Sequence, residues 1–183
     1  RLKTLYNAKD KGGELVRRSS LALFAYVSNR IPEISDDLYQ IDGALCAGFG
    51  WDVGPFEMWD MLGAEKAVAD MKEAGISYNA WVDEMLAAGS TSFYKRENGS
   101  RYYYDVQSKG YKEIPGMKEL YVLDNLRDTN VIWKNSGASL FDLGDGILNL
   151  EFHTKMNTIG GEVIEGINIA VDKAEKEFAG LIV

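Results

Sequence analysis

The sequence predicts a mainly α-helical domain followed by a β-hairpin and a small α/β unit. Apolar residues recur at three- and four-residue spacing over the first 90 positions, two aromatic-rich runs flank Asn98-Gly99, and from Val131 the apolar period becomes two. We therefore divide the chain into a helical domain over residues 1–90, a hairpin and linker over 91–130, and a strand-strand-helix-strand unit over 131–183.

Composition and charge exclude several classes of partner. The 183 residues carry 20 Lys and Arg against 28 Asp and Glu, a net charge of −8, with no basic stripe for nucleic acid. No apolar run approaches the ~20 residues of a membrane span. The single cysteine, Cys46, cannot form an internal disulfide. We expect a cytoplasmic protein in which Cys46 is a buried structural thiol rather than a nucleophile.

The first 50 residues predict two helices after a frayed lead-in over residues 1–13. The first begins at Glu14 and should end or kink at Pro32. Its apolar stripe is Val16, Ser20, Leu23, Val27, Ile31 and Ile34. Ser35 is the expected N-cap of the next helix, in which Leu38, Ile41 and Leu45 continue the stripe.

Three shorter helices are predicted next. The first is bracketed by Pro55 and Gly63, where these residues suit helix ends, and its apolar face is Phe56, Trp59 and Leu62. The second spans Ala64 to Ala74, with Val68 and Met71 inward and Gly75 as its stop. The third is capped by Ser77, turns Trp81, Met85 and Leu86 inward and ends at Gly89.

The residue pattern changes at Thr91 from helical spacing to strand-like runs. Phe93 to Arg96 and Arg101 to Tyr104 are strand-like runs, and Asn98-Gly99 between them is a strong hairpin signal. Residues 105–130 are mixed, with a turn at Ile114-Pro115-Gly116 and a short helix over Tyr121 to Arg127. We interpret them as a linker.

The last part of the chain predicts strands at Val131 to Trp133, Ala138 to Leu143 and Ile147 to Phe152, with a tight turn at Gly144-Asp145-Gly146. A helix from about Thr158 to Phe178 and a final strand at Leu181 to Val183 follow. The expected inward positions of that helix are Ile159, Val163, Ile167, Val171, Ala174 and Phe178. The start at Arg1 and the end in an apolar strand indicate an excised fragment.

One stretch carries a family resemblance. Asp42 is followed by Ala47-Gly48-Phe49-Gly50-Trp51 and then by Gly54-Pro55-Phe56-Glu57, Trp59, Asp60 and Gly63. This order resembles the signature of the all-α C-terminal domain of 3-hydroxyacyl-CoA dehydrogenases, the NAD-linked enzymes of fatty-acid β-oxidation. The resemblance covers about residues 13–89 and implies a helical fold like the C-terminal domain of 6-phosphogluconate dehydrogenase. Its structural signature here is Gly48, Gly50, Gly54, Pro55, Phe56, Trp59 and Asp60.

In that family the helical domain covers the substrate cleft of a Rossmann domain and supplies dimer or pseudo-dimer contacts. The family's catalytic His, held by a Glu, and its NAD loop are not expected here. The one histidine, His153, lies in the C-terminal unit, and Gly48-Phe49-Gly50 follows a helix and lacks the third spaced glycine. We therefore expect no catalytic or cofactor-binding residue in this chain, with NAD bound elsewhere in the parent protein and His153 in a structural role.

Several carboxylates suggest a metal or an acid/base site. Asp42, Asp52, Glu57 and Asp60 have no His or Cys partner at ligand spacing. We expect them to form helix caps and domain-interface hydrogen bonds, and we predict no metal site.

A second resemblance begins at Leu140. The run to Leu150, the segment Lys155-Met156-Asn157-Thr158-Ile159 and the long helix leading to Ala179 to Val183 are similar to the start of a crotonase-type enoyl-CoA hydratase/isomerase domain. Phe152-His153 stands where that family has an Arg-Pro pair. The resemblance implies that Lys155, Met156 and Asn157 line a path for CoA; an exposed lysine at a helix start is the alternative interpretation.

Together these features predict a fragment of a bifunctional β-oxidation enzyme that acts on acyl-CoA, in which this segment is architectural. A non-catalytic helical module that binds CoA esters or a partner protein is one alternative, and a structural interaction domain without a ligand is another. We expect residues 131–183 to pack on the helical domain or to pair with a second copy, giving a homodimer.

Overall fold

A computed structural model describes residues 1–97, 100–116 and 120–183. The chain divides into two compact units, the first formed by residues 1–97 and 101–114 and the second by the C-terminal part from residue 115. The hairpin residues Asn98 and Gly99 lie outside the described residues. Within the described ranges, no helix is long and apolar enough to cross a membrane.

Six helices form most of the first unit, and their ends follow local sequence signals. Asp10 caps α2 by accepting from the Gly13 amide at 2.7 Å, and Pro55 occupies the first turn of α4. Left-handed glycines follow α3, α5 and α6, at Gly50, Gly75 and Gly89. The helices are α1 (Leu2–Tyr6), α2 (Lys11–Ser28), α3 (Leu38–Phe49), α4 (Pro55–Leu62), α5 (Ala64–Glu73) and α6 (Trp81–Ala87).

The helix starts of the first unit differ from the prediction at four places, the first being that α2 begins at Lys11 rather than Glu14. The prediction of a frayed lead-in is wrong, because α1 forms in this segment. Tyr6 is buried there, and its hydroxyl donates to Asp70 at 2.7 Å. The third helix begins after Asp37 rather than Ser35. The sixth begins at Trp81, whose amide donates to Asn79 Oδ1, so that Ser77 does not cap it. A polar residue before an apolar run indicates a helix start. Because several neighbouring polar residues precede these runs, the pattern does not identify which of them is the cap.

The buried face of α2 is also rotated from the predicted stripe. Val27 and Ile31 are buried as expected, but Ile34 is exposed and Val16, Ser20 and Leu23 are only half-buried. The core-facing residues of the helix are Leu21, Phe24, Ala25, Val27 and Ser28. Ser28 belongs to this face because its hydroxyl accepts from the Asn79 amide and its carbonyl accepts from the Trp81 indole.

Aromatic rings fill the core of the first unit. Trp59 of α4 stacks on Phe24 with ring centroids 5.1 Å apart and meets Phe93 at 4.7 Å. Phe56 contacts the rings of Trp59, Trp81 and Phe93. The predicted inward face of α4 is therefore confirmed, with Phe56 and Trp59 fully buried.

A three-stranded sheet completes the first unit. Its strands are β1 (Tyr94–Glu97), β2 (Ser100–Asp105) and β3 (Gly110–Glu113), in the order β1-β2-β3. β2 and β3 are antiparallel, with Tyr104 opposite Tyr111. Strand β3 was not predicted, and it lies in the segment interpreted as a linker. Tyr103 and Tyr104 are buried in the core.

The second unit contains the strands and the helix predicted for it, in the order strand, strand, strand, helix and strand. After a short helix, α7 (Leu123–Leu126), it contains β4 (Val131–Lys134), β5 (Ala138–Gly144), β6 (Ile147–Phe152), α8 (Gly161–Glu177) and β7 (Gly180–Ile182). The sheet order is β4-β5-β6-β7, and only β7 runs parallel to its neighbour among these strands. The β5–β6 turn at Gly144-Asp145-Gly146 has positive φ at all three residues, as such a tight turn requires.

Helix α8 packs on the sheet through small residues. Val163, Gly166 and Ala170 are buried, whereas Ile159 and Val171 are 61% and 40% exposed. The prediction that Ile159 and Val171 point inward is therefore wrong. A Cβ atom at Gly166 would lie 3.1 Å from Ala138 Cβ and 3.2 Å from the Trp133 ring, so the helix approaches the sheet closely at this point.

The aromatic core gives the first prediction. Trp59→Ala removes a fully buried ring and should lower the free energy of unfolding by ~3–5 kcal/mol. Trp51→Ala, at a position 38% exposed, is the matched control and should cost less than ~1 kcal/mol. Urea unfolding followed by circular dichroism measures both, and equal losses would contradict this description of the core.

Candidate functional site

The carboxylates singled out from the sequence do meet, at the start of α4. Asp42 lies on α3, and its side chain accepts the backbone amides of Phe56 and Glu57 at 2.9 and 3.1 Å. These amides belong to the first turn of α4, where no earlier carbonyl is available to them. Asp42 therefore caps α4 from a different helix. This confirms the interpretation of Asp42 as a capping residue.

Gly54 allows this approach. A Cβ atom at Gly54 would stand 2.3 Å from both Cβ and Cγ of Asp42, closer than any real contact. Glu57 completes the turn by accepting the Gly54 amide at 2.8 Å. The Gly54-Pro55-Phe56-Glu57 run is thus one hydrogen-bonded structure, which explains why these residue types occur together.

Asp60 fastens the sheet to α4. Its two carboxylate oxygens accept the backbone amides of Phe93 and Tyr94, at 2.7 and 2.8 Å. The Tyr94 hydroxyl in turn donates to Asp42 at 2.9 Å. Two carboxylates on α3 and α4 therefore fix the position at which β1 begins.

Arg101 on β2 supplies the positive charge beside this group. It forms an ion pair with Glu57, and its guanidinium lies 4.4 Å from the centre of the Tyr94 ring. We call Asp42, Glu57, Asp60, Tyr94 and Arg101 the carboxylate cluster. Neither Tyr94 nor Arg101 was predicted from the sequence, because both reach the cluster from a different part of the chain.

Burial changes the protonation of the two aspartates. Desolvation raises the pKa of Asp42 to about 6, against the lowering effect of its three hydrogen bonds. Desolvation likewise raises the pKa of Asp60 to about 7, and the Asp42 charge adds to the rise while the Phe93 and Tyr94 amides oppose it. The pKa of the Tyr94 hydroxyl is raised by burial and by Asp42, so the phenol stays protonated.

A cavity of about 260 Å³ opens beside the cluster, and Val53, Met61, Lys95 and Arg96 also line it. The carboxylates at its wall, Glu57 and Asp60, are already engaged with backbone amides and a guanidinium. Among the described residues, no group of three or more His, Cys, Asp or Glu side chains is arranged to hold a metal ion. The cluster thus holds helix, helix and sheet together.

The glycines of the signature do not form a dinucleotide loop. Gly48 lies inside α3, and Gly50 ends that helix in the left-handed conformation. A nicotinamide dinucleotide requires a loop that leads from a strand into a helix N-terminus. These residues therefore do not fit NAD. The neighbouring rings of Phe49 and Trp51 lie on the surface, 5.7 Å apart.

Lys155, Met156 and Asn157, predicted to line a CoA path, form one 3-10 turn before α8. All three are exposed, and Met156 is 91% exposed. Met156 and Asn157 have positive φ, at 57° and 50°. The Thr154 and Thr158 hydroxyls hold the turn by donating to backbone carbonyls at 2.8 Å. The structure thus brings these residues together on the surface of the second unit.

His153 and Cys46 have ordinary surroundings. The Nε2 atom of His153 lies 2.9 Å from the hydroxyl of Ser139 on the adjacent strand. Cys46 is half-buried rather than buried. Desolvation is the main cause that raises the pKa of its thiol, and nearby acidic side chains add to the rise. A raised pKa lowers the thiolate fraction, so Cys46 is a poor nucleophile.

The chain has relatives among known proteins. A probable 3-hydroxyacyl-CoA dehydrogenase of Bacillus subtilis is 38% identical over 184 aligned residues, which cover all of this chain and 23% of that protein. The chain is similar to one segment of that dehydrogenase. The aligned region includes both units of this chain, in the same order.

Two further relatives are putative fatty acid oxidation complex trifunctional enzymes. The one from Rickettsia felis is 22% identical over 93% of this chain and 21% of its own length. The one from Rickettsia prowazekii is 24% identical over 83% of this chain and 18% of its own length. The chain thus spans about a fifth of the length of the relatives it matches. Their names support the family that the signature resembles.

No family model matches the chain. No solved structure matches it either.

Substitutions at two glycines test the role of Gly54. Gly54→Ala must displace Asp42 and should lower the free energy of unfolding by ~1–3 kcal/mol. Gly48→Ala is the matched control, since Gly48 lies in α3 with nothing within 4 Å of an added Cβ, and it should raise stability by up to ~1 kcal/mol. Denaturant unfolding measures both, and a Gly54→Ala protein as stable as the parent would contradict the close approach.

The raised pKa values of Asp42 and Asp60 give a prediction about pH. Because both carboxyls hold a proton more tightly in the folded state, their stabilising contribution is complete below about pH 4 and is lost as the pH rises through 6 and 7. Stability should therefore fall between about pH 4 and pH 7, by at most ~1.4 kcal/mol per pH unit for each group. Below pH 4 the side chains with lowered pKa values oppose this trend: Asp70, Asp83, Glu97 and Asp105.

Urea unfolding at pH 5, 6, 7 and 8 checks this trend. Asp60→Asn should flatten the decline above pH 6, although it also weakens one hydrogen bond to the sheet. Asp52→Asn, at an exposed position of the same segment, should leave the slope as it is in the unaltered protein. Stability that rises from pH 5 to pH 8 would contradict the prediction.

Proposed function

We propose that this chain is a segment of an NAD-dependent 3-hydroxyacyl-CoA dehydrogenase of fatty-acid β-oxidation. The observation that carries the proposal is the likeness of the whole chain to a probable dehydrogenase of that kind. The Asp42 to Gly63 signature also supports it, through its resemblance to that family.

The parent reaction oxidises a 3-hydroxyacyl-CoA to a 3-oxoacyl-CoA, with NAD as the hydride acceptor. We assign none of its chemical steps to residues 1–183. Asp42, Glu57 and Asp60 are committed to structural hydrogen bonds and an ion pair, and His153 contacts Ser139. The role of the helical unit is architectural: it covers the substrate cleft of the nucleotide domain and supplies domain or dimer contacts. NAD then binds outside this segment.

The second unit fits the start of an enoyl-CoA hydratase-like domain fused to the dehydrogenase. Two relatives bear the name of a trifunctional fatty acid oxidation enzyme, which supports more than one activity in such a parent. In this reading the turn at Lys155, Met156 and Asn157 contributes to a CoA site completed by later residues. Because the single cysteine of this chain leaves no internal disulfide, we propose a cytoplasmic setting.

The proposal predicts that the isolated chain is not a dehydrogenase. With 3-hydroxybutyryl-CoA and NAD, we expect no NADH absorbance above a blank without protein. NADH formation that is lost on mutating a residue within 1–183 would contradict the architectural role. The parent assignment is tested separately, by reading the gene upstream of residue 1 for a strand, a G-x-G-x-x-G loop and a helix.

CoA titration tests the alternative of a module that binds CoA esters. If the chain alone binds acetyl-CoA in calorimetry and Lys155→Ala abolishes the heat, the second unit has a ligand site of its own. Lys173→Ala, a change of the same kind on α8, is the matched control. Absence of binding in all three proteins is the result that the architectural role predicts.

A further inference from the structure

Met156, in the turn before α8, has a side chain that is 91% exposed to solvent. The other methionines in the described part of the chain are better protected. Met61 is 46% exposed and Met58 is half-buried. Met71 and Met85 are fully buried in the core of the first unit. Among these five side chains, the thioether of Met156 is therefore the one most open to a solute in water.

Neither packing nor backbone geometry accounts for a methionine at this position. The exposed side chain contributes little to a core, and its backbone lies at φ 57° and ψ 30°, in the left-handed region that favours glycine and asparagine. The turn is held by the hydroxyls of Thr154 and Thr158 and by the Asn157 amide, which donates to the Thr154 carbonyl at 3.1 Å. The turn therefore does not depend on the thioether.

We propose that Met156 is a site of reversible oxidation by peroxide. The sulfur attacks one oxygen of hydrogen peroxide, so that the O–O bond breaks, an S–O bond forms, and the products are methionine sulfoxide and water. The sulfur loses two electrons and the peroxide gains them. A methionine sulfoxide reductase reverses the change with two electrons from a pair of thiols, which become a disulfide while the oxygen leaves as water.

The exposure of Met156 also predicts which sulfoxide forms. The sulfur carries two lone pairs, and oxidation at one or the other gives two different epimers. Because solvent reaches nearly the whole side chain, both lone pairs are accessible and both epimers should form in similar amounts. Each epimer has its own reductase. Complete repair of Met156 therefore requires both enzymes.

Oxidation of Met156 changes the surface of the turn and leaves the fold in place. A sulfoxide is polar where the thioether is apolar, and the nearby Ile159 is another apolar side chain that is 61% exposed. The consequence for CoA rests on the proposed function, because only a turn that contributes to a CoA site is regulated in this way. The oxidation itself needs no CoA and no enzyme activity, so the modification and the functional assignment can fail separately.

A peroxide time course on the full chain, read by mass spectrometry of each methionine peptide, tests the proposal. Met156 should be oxidised at least ~2-fold faster than Met61, the internal control with half its exposure, and ~100-fold faster than Met71, which reacts only when the core opens. The circular dichroism spectrum and the urea midpoint should not change while Met156 is oxidised. Equal or faster oxidation of Met61 would overturn the proposal, and so would loss of the fold at that stage.

Repair of the oxidised chain is the second test. With a thiol reductant, either reductase alone should restore about half of the Met156 thioether, and the two together nearly all of it. Met156→Leu keeps an apolar side chain without sulfur, so its peptide should gain no oxygen. A sulfoxide at Met156 that resists both enzymes would overturn the reversibility, and complete repair by one enzyme would overturn the equal access to both lone pairs.

Discussion

The first unit depends on a buried carboxylate that does the work of a helix cap from a distance. Asp42 accepts two amides at the start of α4 and a hydroxyl from β1, so one side chain joins α3, α4 and the sheet. A helix start concentrates unpaired N–H groups and partial positive charge, and a carboxylate satisfies both. Burial removes the charged carboxylate of Asp42 from water, which costs free energy. The three hydrogen-bond donors around it offset part of that cost.

The contact between Gly54 and Asp42 also determines how neighbouring segments are placed. Because Gly54 must lie against Asp42, the chain can enter α4 only along one path, and Trp59 and Phe56 are then aimed at Phe24 and Phe93. Asp60, one turn further along α4, holds the chain where β1 begins. The polar signature and the aromatic core are thus two sides of the same short helix. This accounts for the conjunction of glycine, proline, acid and aromatic residues without assigning catalysis to any of them.

Features with local causes could be predicted from the sequence. The ends of α4 follow from Pro55 and Gly63, and the β5–β6 hairpin follows from its glycine turn. Helix α1 escaped prediction because five residues are too short to show a period. Strand β3 escaped because its four residues carry charge and only one large apolar side chain, Tyr111.

The inward face of α8 was misjudged at Ile159 and Val171. Sequence patterns give weight to large apolar residues, whereas α8 packs where Gly166 and Ala170 permit close approach. Of the carboxylate cluster, the acids could be found because they lie in one ordered motif. Tyr94 and Arg101 could not, since they reach the cluster only after the sheet has docked, and no local pattern marks them.

The mixed sheet of the second unit has a consequence for the route by which it folds. Strands β5 and β6 are neighbours in sequence, so they can pair after closing a very short loop. The parallel pairing of β7 with β6 spans only three residue pairs and must wait until residues 153–179, including all of α8, have been brought back across the sheet. Long-range closure is slow compared with hairpin formation. The hairpin is thus a natural nucleus, and β7 is the last strand to join and the first to leave.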